Sequence, residues 1–323
     1  MTAPRVTVDT DAGDHRTAVR VDGEPFTAYL EPGADPVLAK PVCYPIRAAS
    51  GTPVTRGYPL DPRPGERVDH PHHVGLWLNY GNVSGYDFWN NAGPVTGDDD
   101  GPVVRHRETR RAESGDGRGE LAVTLEWVAG GRALLREETT VRFHAAAGER
   151  AIDRLTTLTA LRDVELADDK EGLLGLRVCR DLEHPDDDPA AVVGPDGGTR
   201  EVVDTAVTGE YESSRGDTGT ALWGSRAEWV KLAGRVGDEP VSVVVMDHPD
   251  NAGHPTHWHA RGYGLFAANP LGAAAFTDGE RRLGFALGEG ESATFDYRVS
   301  VIAGDPDDVA ERYDAFVAAA REG

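Results

Sequence analysis

Histidine is concentrated in two short segments of the chain. Of 11 histidines, His70, His72 and His73 lie within four residues, and a second group lies within twelve residues: His248, His254, His257 and His259. An imidazole titrates near neutral pH, so it can transfer a proton, bind a metal ion or simply form hydrogen bonds. Core packing alone is a poor explanation for such crowding. The pattern therefore predicts one polar functional site assembled from two distant segments.

The first segment, residues 68–90, reads VDHPHHVGLWLNYGNVSGYDFWN. Its His-x-His-His pattern would allow two imidazoles on one strand face to reach a common divalent metal, so His70, His72 and His73 are candidate metal ligands. Asn79, Trp77 and Trp89 supply the hydrogen-bonding and aromatic groups that a sugar-like ligand requires. The tryptophans could equally anchor the segment in the core.

The second segment, residues 246–272, reads MDHPDNAGHPTHWHARGYGLFAANPLG. Its proline and glycine content predicts a structured loop between strands, the usual place for function on a rigid β scaffold. Its candidate site residues are His257, His259, Arg261, Tyr263 and Asn269. In the DHP tripeptides at 69–71 and 247–249, the aspartate could instead cap the backbone of a turn whose bend is fixed by proline.

A third stretch, DDKEGLLGLRV at residues 168–178, adds Lys170, Glu171 and Arg177 to the candidates. Lys170 and Glu171 could act in catalysis or form a solvated surface pair, since an acidic run precedes them. Arg177 lies within an apolar strand, where a guanidinium needs an anionic partner or ligand.

The elements that must position these residues are mostly strands. Short β-branched stretches with period-two alternation occur at residues 5–8, 17–21, 120–128, 136–144, 154–161, 173–178, 229–234, 241–248 and 293–302. Helical spacing is convincing only at the C-terminus, over about 305–321. The sequence predicts an all-β protein: one large antiparallel β-sandwich domain over 1–323, of the mutarotase-like kind, with one C-terminal helix.

Composition excludes several classes of function. With 55 acidic against 33 basic residues and a net charge of -22, the chain does not suit binding to nucleic acid or to anionic lipid. No run approaches the ~20 apolar residues that span a bilayer, and the N-terminus lacks the apolar stretch of a secretory signal. Cys43 and Cys179 are too few for a disulfide framework. We expect a cytoplasmic protein.

Four ordered motifs, DHPHHVGLW, GYDFW, DKEGLLGLRV and DHPDNAGHPTHWHARGYGLFAANP, resemble those of the bacterial PmoA-like family, a domain of unknown function. The pair Lys40-Pro41 and the RGYP at 56–59 extend the resemblance over nearly the whole chain. Val74 departs from it, where family members often carry arginine. The family's oxygenase label belongs to a membrane-embedded subunit, which this chain cannot be. The resemblance implies a link to sugar catabolism.

These observations favour an enzyme acting on a carbohydrate, keto-sugar or glycoside, as an isomerase, lyase or hydrolase. His72 or His257 would be the base and Glu171 or a second histidine the acid, while Arg177 and Arg261 would hold oxygens of the substrate. His73 and Lys170 complete the candidate catalytic set. A metal-assisted version would place a divalent ion on the first histidine group. The alternative is a non-catalytic sugar-binding β-sandwich in which tryptophans stack on the ring.

Overall fold

A computed structural model describes residues 3–90, 101–185, 189–203 and 206–320. The first strands are β1 (Arg5–Asp9), β2 (Arg16–Val21), β3 (Glu24–Leu30), β4 (Val42–Cys43), β5 (Leu76–Leu78), β6 (Val103–Glu113), β7 (Gly115–Asp116), β8 (Arg118–Ala129), β9 (Arg132–Ala146), β10 (Glu149–Ala160) and β11 (Val164–Leu166). They are followed by β12 (Leu174–Arg177), β13 (Ala190–Val193), β14 (Thr199–Val202), β15 (Glu210–Ser213), β16 (Trp229–Val236), β17 (Glu239–Asp247), β18 (His257–Ala260), β19 (Leu265–Asn269), β20 (Phe285–Leu287) and β21 (Ser292–Ala303). The helices are α1 (Ala273–Phe276) and α2 (Val309–Ala320). Among the described residues, no helix combines the length and apolarity needed to cross a membrane.

Most of the strands form two large antiparallel sheets. One has nine strands in the order β18-β19-β12-β5-β4-β3-β2-β1-β7, and the other has eight in the order β15-β16-β17-β21-β10-β9-β8-β6. A hydrophobic core joins them, with Val6 and Val19 from the first sheet packed in one cluster with Leu121 and Val123 from the second. The predicted all-β antiparallel sandwich and its C-terminal helix are confirmed.

The long amphipathic strands are where the sequence predicts them, since each of the nine predicted stretches overlaps a strand. The prediction of one loop over residues 246–272 is wrong, because this segment contains β18 and β19. Every residue of these two strands is buried. Because both faces are covered, there is no alternation of polar and apolar residues to reveal them. The one-turn helix α1 was also not predicted.

One row of residues runs across the nine-stranded sheet and carries the candidate site. Its members are paired in register, and they are Val42, Trp77, Gly175, Ala267 and His259. Residues directly opposite in a sheet point to the same face, and alternate residues of a strand point to opposite faces. The neighbours Leu76 and Leu174 belong to the core between the sheets, whereas Trp77 and Ala267 belong to a separate cluster. The row therefore lies on the outer face of the nine-stranded sheet.

Candidate functional site

Four aromatic rings form a column on this outer face, which we call the ring column: Trp77, His73, His70 and Tyr263. Successive ring centroids are 5.3, 4.8 and 5.0 Å apart, and the ring planes are within 18° of parallel. Trp77 and His73 are buried, whereas the side chain of His70 is 40% exposed. The column thus leads from the buried face of the sheet to the surface, and it brings the first and second segments together.

Arg56 holds the histidine segment in place. Its guanidinium is fully buried and donates to the carbonyls of Asp69, His70 and His73 at 2.8, 2.9 and 3.1 Å, and to Oδ1 of Asp69 at 2.6 Å. The backbone of His70 has φ 41°, in the left-handed region that is costly for a residue other than glycine. We call these contacts the Arg56 clamp, and they keep His70 in that conformation.

Asp69 receives a second guanidinium and also contacts His70. Arg177 Nη2 donates to Oδ1 of Asp69 at 2.7 Å, and Nδ1 of His70 lies 3.2 Å from the same oxygen. Burial opposes ionisation of Asp69, but the contact with His70 and the charges of Arg177 and Arg56 lower its pKa well below the usual range. A charged carboxylate beside Nδ1 favours the proton on that nitrogen. Nε2 of the exposed His70 ring is then the proton acceptor.

Lys40 is buried beneath the same segment. Its Nζ donates to the carbonyl of His72 at 2.8 Å and lies 5.4 Å from the ring centroid of Trp77. Burial lowers the pKa of Lys40 to about 7, although the charge of Asp87 opposes this shift. An amine that titrates near neutral pH is typical of a functional site.

His72 and His73 are both held neutral at pH 7. Burial and the charge of Lys40 lower the pKa of His72 to about 3, and its Nε2 is buried with no hydrogen-bond partner among the described residues. Burial and His72 lower the pKa of His73 well below its usual value. Nε2 of His73 accepts a hydrogen bond from Trp89 Nε1 at 3.2 Å. His73 therefore supports the column, whereas His72 has a ring nitrogen left for a ligand or water.

His259 presents a second unpaired ring nitrogen. Its Nδ1 lies 2.9 Å from the carbonyl of Lys170 and so carries the proton, which leaves Nε2 as a buried acceptor without a partner in the described part of the chain. Burial and the charge of Arg261 lower the pKa of His259 to about 3. Nδ1 also lies 3.7 Å from a carboxylate oxygen of Glu171, which is ion-paired with Lys170.

A line of side chains connects the ring column to His259. Burial raises the pKa of Tyr263, and the charges of Arg177 and Arg261, together with a hydrogen bond to Arg261, oppose that shift. The guanidinium of Arg261 lies 4.1 Å from the ring centroid of Trp223, which in turn lies 4.7 Å from that of His259. Trp223 is one of four large hydrophobic residues exposed in the described structure. The surface between His70 and His259 is thus aromatic and cationic.

The other predicted residues take different positions. Asn79 and Asn269 are buried and donate to the backbone carbonyls of Phe88 and Asp169, respectively. Trp89 is buried, like Trp77, so neither tryptophan offers a surface on which a sugar could stack. Arg177 is also fully buried and contacts Asp69 rather than the surface.

His257 belongs to a neighbouring environment rather than to the ring column. Its Nδ1 lies 2.9 Å from the carbonyl of Gly224, and its ring stacks on Phe276 at 5.3 Å. The ring centroid of Phe276 also lies 6.1 Å from that of His259. His259 is two residues after His257 on β18 and therefore points to the same face of the sheet. His257 is therefore separated from His259 by one phenylalanine ring.

The first histidine group does not fit a divalent metal ion. The rings of His70 and His73 stack with planes 2° apart, and both nitrogens of His73 face donors, from Trp89 and Arg177. Over the described ranges, no group of three or more His, Cys, Asp or Glu side chains is arranged to hold a metal. The metal prediction therefore finds no support.

Three residues that organise the site have only weak signals in the sequence. Asp69 suits a turn equally well, while Lys40 and Arg56 stand out only as members of the motifs KP and RGYP. These motifs were the signal that could have found them. A lysine and an arginine that become buried in a β protein require specific partners, and here both contact the histidine segment.

Three solved structures illustrate what the fold is similar to. A GH36 α-galactosidase from Geobacillus stearothermophilus has 12% identity and a TM-score of 0.41, over 92% of this chain and 41% of that chain. A galactose 1-epimerase from Lactobacillus acidophilus NCFM has 11% identity and a TM-score of 0.36, over 94% and 100%. A galactose mutarotase-like protein from Clostridium acetobutylicum has 9% identity and a TM-score of 0.41, over 92% and 98%. The chain spans about two fifths of the length of the α-galactosidases.

Sequence comparison settles the family. A comparison with curated proteins gives no match. A family model described as "Family of unknown function (DUF6807)" matches residues 16–314. The resemblance to a PmoA-like family is therefore wrong, and the motifs quoted for it lie within the region that this other model matches. The chain belongs to the DUF6807 family.

Proposed function

We propose that this protein is an enzyme that transfers a proton on a carbohydrate or oxidised sugar, at a carbon next to a carbonyl group. The observation that carries the proposal is the Asp69–His70 pair. Asp69 is held by two buried guanidiniums and contacts Nδ1 of His70, whose ring is exposed and whose backbone is kept in a strained conformation. An oriented, accessible imidazole of this kind is suited to act as a general base.

Groups around His70 suit an oxygen-rich substrate. Tyr263 stacks on the imidazole, and Arg261 lies between Tyr263 and the exposed Trp223. These side chains offer an aromatic surface and a cation that can stabilise negative charge on a carbonyl oxygen during proton removal. His259, whose Nε2 has no partner in the described part of the chain and whose Nδ1 lies near Glu171, is the candidate second proton-transfer group.

The carboxylates of the site favour proton transfer over glycoside hydrolysis. Hydrolysis of a glycosidic bond usually requires two carboxyl groups on either side of that bond. Here Asp69 is bonded to Arg56 and Arg177, and Glu171 is paired with Lys170. An imidazole base is thus the better-supported reactive group, in agreement with the isomerase or lyase versions of the sequence-based hypothesis.

The test is exchange of carbon-bound hydrogen with solvent. Keto-sugars, aldoses and uronic acids would be incubated with the protein in D2O, and loss of the proton next to the carbonyl would be followed by NMR. The His70→Asn variant should lose about 10²-fold or more of the exchange rate. Asparagine tolerates the left-handed backbone of position 70, so the fold is preserved.

His15→Asn is the matched control. His15 also has a left-handed backbone, φ 57°, and is exposed, and it lies beside a carboxylate at 3.5 Å, that of Glu31. The His15→Asn variant should catalyse exchange at the wild-type rate. Sugar binding by saturation-transfer NMR without any exchange would instead identify a non-catalytic sugar-binding protein. Exchange that is equal in His70→Asn and wild type would rule out His70 as the base.

A further inference from the structure

A cavity lies beside His257, the histidine whose ring stacks on Phe276. It has a volume of about 160 Å³, and the charged and titratable side chains lining it are Arg226, Arg281, Arg282 and His257. We call it the arginine pocket. Three arginines around so small a volume are unexpected in a chain with 33 basic and 55 acidic residues.

Arg226 is fixed in the wall of this pocket. Its Nε donates to the carbonyl of Pro255 at 2.8 Å and its Nη2 to that of Gly253 at 3.0 Å. These bonds leave Nη1 without a partner in the described structure. The guanidinium is therefore oriented by the backbone, not by a carboxylate, and one of its donor groups remains available for a ligand.

Arg281 and Arg282 are exposed, and within the described residues neither guanidinium has a hydrogen-bond or ion-pair partner. The charge of Arg281 acts on two other residues that line the pocket. Burial is the largest factor that lowers the pKa of Arg226 and of His257, and the positive charges of neighbouring arginines, including Arg281, lower both further. Like charges brought together in this way repel one another unless an anion lies between them.

The carboxylates whose charges act on the pocket, those of Asp168 and Asp247, offset only part of the charge of its three arginines. Asp168 is the acidic group whose charge acts on His257, and its Oδ1 already accepts a hydrogen bond from the amide of Ala274 at 2.6 Å. Asp247, which acts on Arg226, is buried and bonded to His254 and to the amide of Thr256. The pocket therefore keeps an excess of positive charge.

We propose that the arginine pocket binds a small oxyanion of the size of phosphate. Guanidinium groups match the geometry of phosphate and carboxylate oxygens, and the volume suits one such group. The anion can be a free ion, or it can be an acidic group on a molecule whose remainder passes Phe276 to reach His259. The oxyanion site itself does not depend on the proton-transfer proposal, because the arginines that line it take no part in that proposal. A ligand that extends to His259 would rest on the proposed function.

The experiment measures binding of inorganic phosphate to the full chain by titration calorimetry at constant ionic strength, with chloride as the replaced ion. Wild-type protein should bind one phosphate per chain. The variant Arg281→Gln/Arg282→Gln should bind it at least about tenfold more weakly, because two of the charged donors are lost. Neither side chain has a hydrogen-bond or ion-pair partner among the residues that the structure describes, so this variant should fold normally.

Arg132→Gln/Arg136→Gln is the control, since it removes two other exposed arginines and changes the net charge equally. It should bind phosphate like wild type. Equal weakening in both variants, or no saturable binding up to about 10 mM phosphate, would overturn the proposal, because a specific site should at least reach the millimolar class.

A second arm identifies the source of the anion by titrating a hexose phosphate. Affinity at least about tenfold higher than that for phosphate, lost in Trp223→Ala, would show that the anion is part of a larger ligand. Equal affinities would show that the pocket binds a free ion. Phosphate binding is measured without any exchange reaction, so failure of the oxyanion proposal and failure of the proton-transfer proposal are distinguishable.

Discussion

The conformation of His70 would be unstable without its surroundings. A left-handed backbone at a non-glycine residue costs about 1–3 kcal/mol and persists only where neighbouring groups enforce it. The Arg56 clamp and the stacking of Tyr263 and His73 on the two sides of the ring do so here. A histidine kept only for packing would not need an exposed ring. The combination is the reason for placing the reactive group at His70 rather than at His72.

His72 should make stability depend on pH in a defined window. Its pKa is about 3 in the folded protein and near 6.5 when unfolded, so the unfolded chain binds one more proton between these values. The stabilisation that depends on neutral His72 is complete above pH 6.5, and the free energy of unfolding falls as the pH is lowered below 6.5. Between pH 4.5 and 6, the free energy of unfolding measured with urea should rise with pH more steeply in wild type than in His72→Asn, by about 1.4 kcal/mol per pH unit. Equal slopes would contradict the neutral state of His72.

At the scale of the elements, four short strands carry the site. β5, β12, β19 and β18 are each three to five residues long, and their in-register row places Trp77 opposite Gly175 and His259 opposite Ala267. Two small residues stand between two large aromatic ones. The small residues leave the space that the tryptophan and histidine rings occupy above the sheet.

Gly175→Ala should disrupt this row. A Cβ at position 175 would clash with the Trp77 ring and lie 2.9 Å from that of Trp89, so the first ring of the column and the Trp89 ring beside it must move. We expect a loss of about 1–3 kcal/mol in the free energy of unfolding, measured with urea. In the control Gly288→Ala, the new Cβ would lie 3.4 Å from the carboxylate of Glu291, a flexible side chain. This substitution should change the free energy of unfolding by less than about 1 kcal/mol. Equal effects at both positions would show that the rings are free to adjust.

The same elements show how far sequence reasoning reaches. Strands β8, β9 and β10 are long and half-buried, so their alternation predicts them. β18 and β19 are buried on both faces and show none. The role of Asp69 was not predictable either, because its partners Arg56 and Arg177 are 13 and 108 residues away in sequence. The histidines were found by their crowding, whereas the choice of His70 required knowledge of the long-range contacts.

At the scale of the whole molecule, acidic residues outnumber basic ones by 55 to 33. The net charge of -22 implies self-repulsion in the compact state. Buried ion pairs such as Arg154–Glu137 and Arg298–Asp153 are screened little by salt, whereas repulsion between exposed carboxylates is screened strongly.

Salt should therefore stabilise the protein. Raising NaCl from about 0.05 to 0.5 M shortens the range of repulsion, and we expect a gain of about 1 kcal/mol, or about 2 °C in Tm, by thermal unfolding. The Arg132→Gln/Arg136→Gln variant has a net charge of -24, two units more negative, and its Tm should rise more with the same increase in NaCl. A fall in Tm with salt in both proteins would mean that attractive surface pairs outweigh the repulsion.

The Arg56 clamp also bears on how quickly and how tightly a ligand can bind. Three backbone carbonyls of the His70 segment are already held by one guanidinium, so the entropy of ordering this part of the site is lost on folding and not on association. A ligand then meets a surface that is preorganised around His70. Its association rate there is governed by diffusion and electrostatic steering, without a step in which this segment must first become ordered.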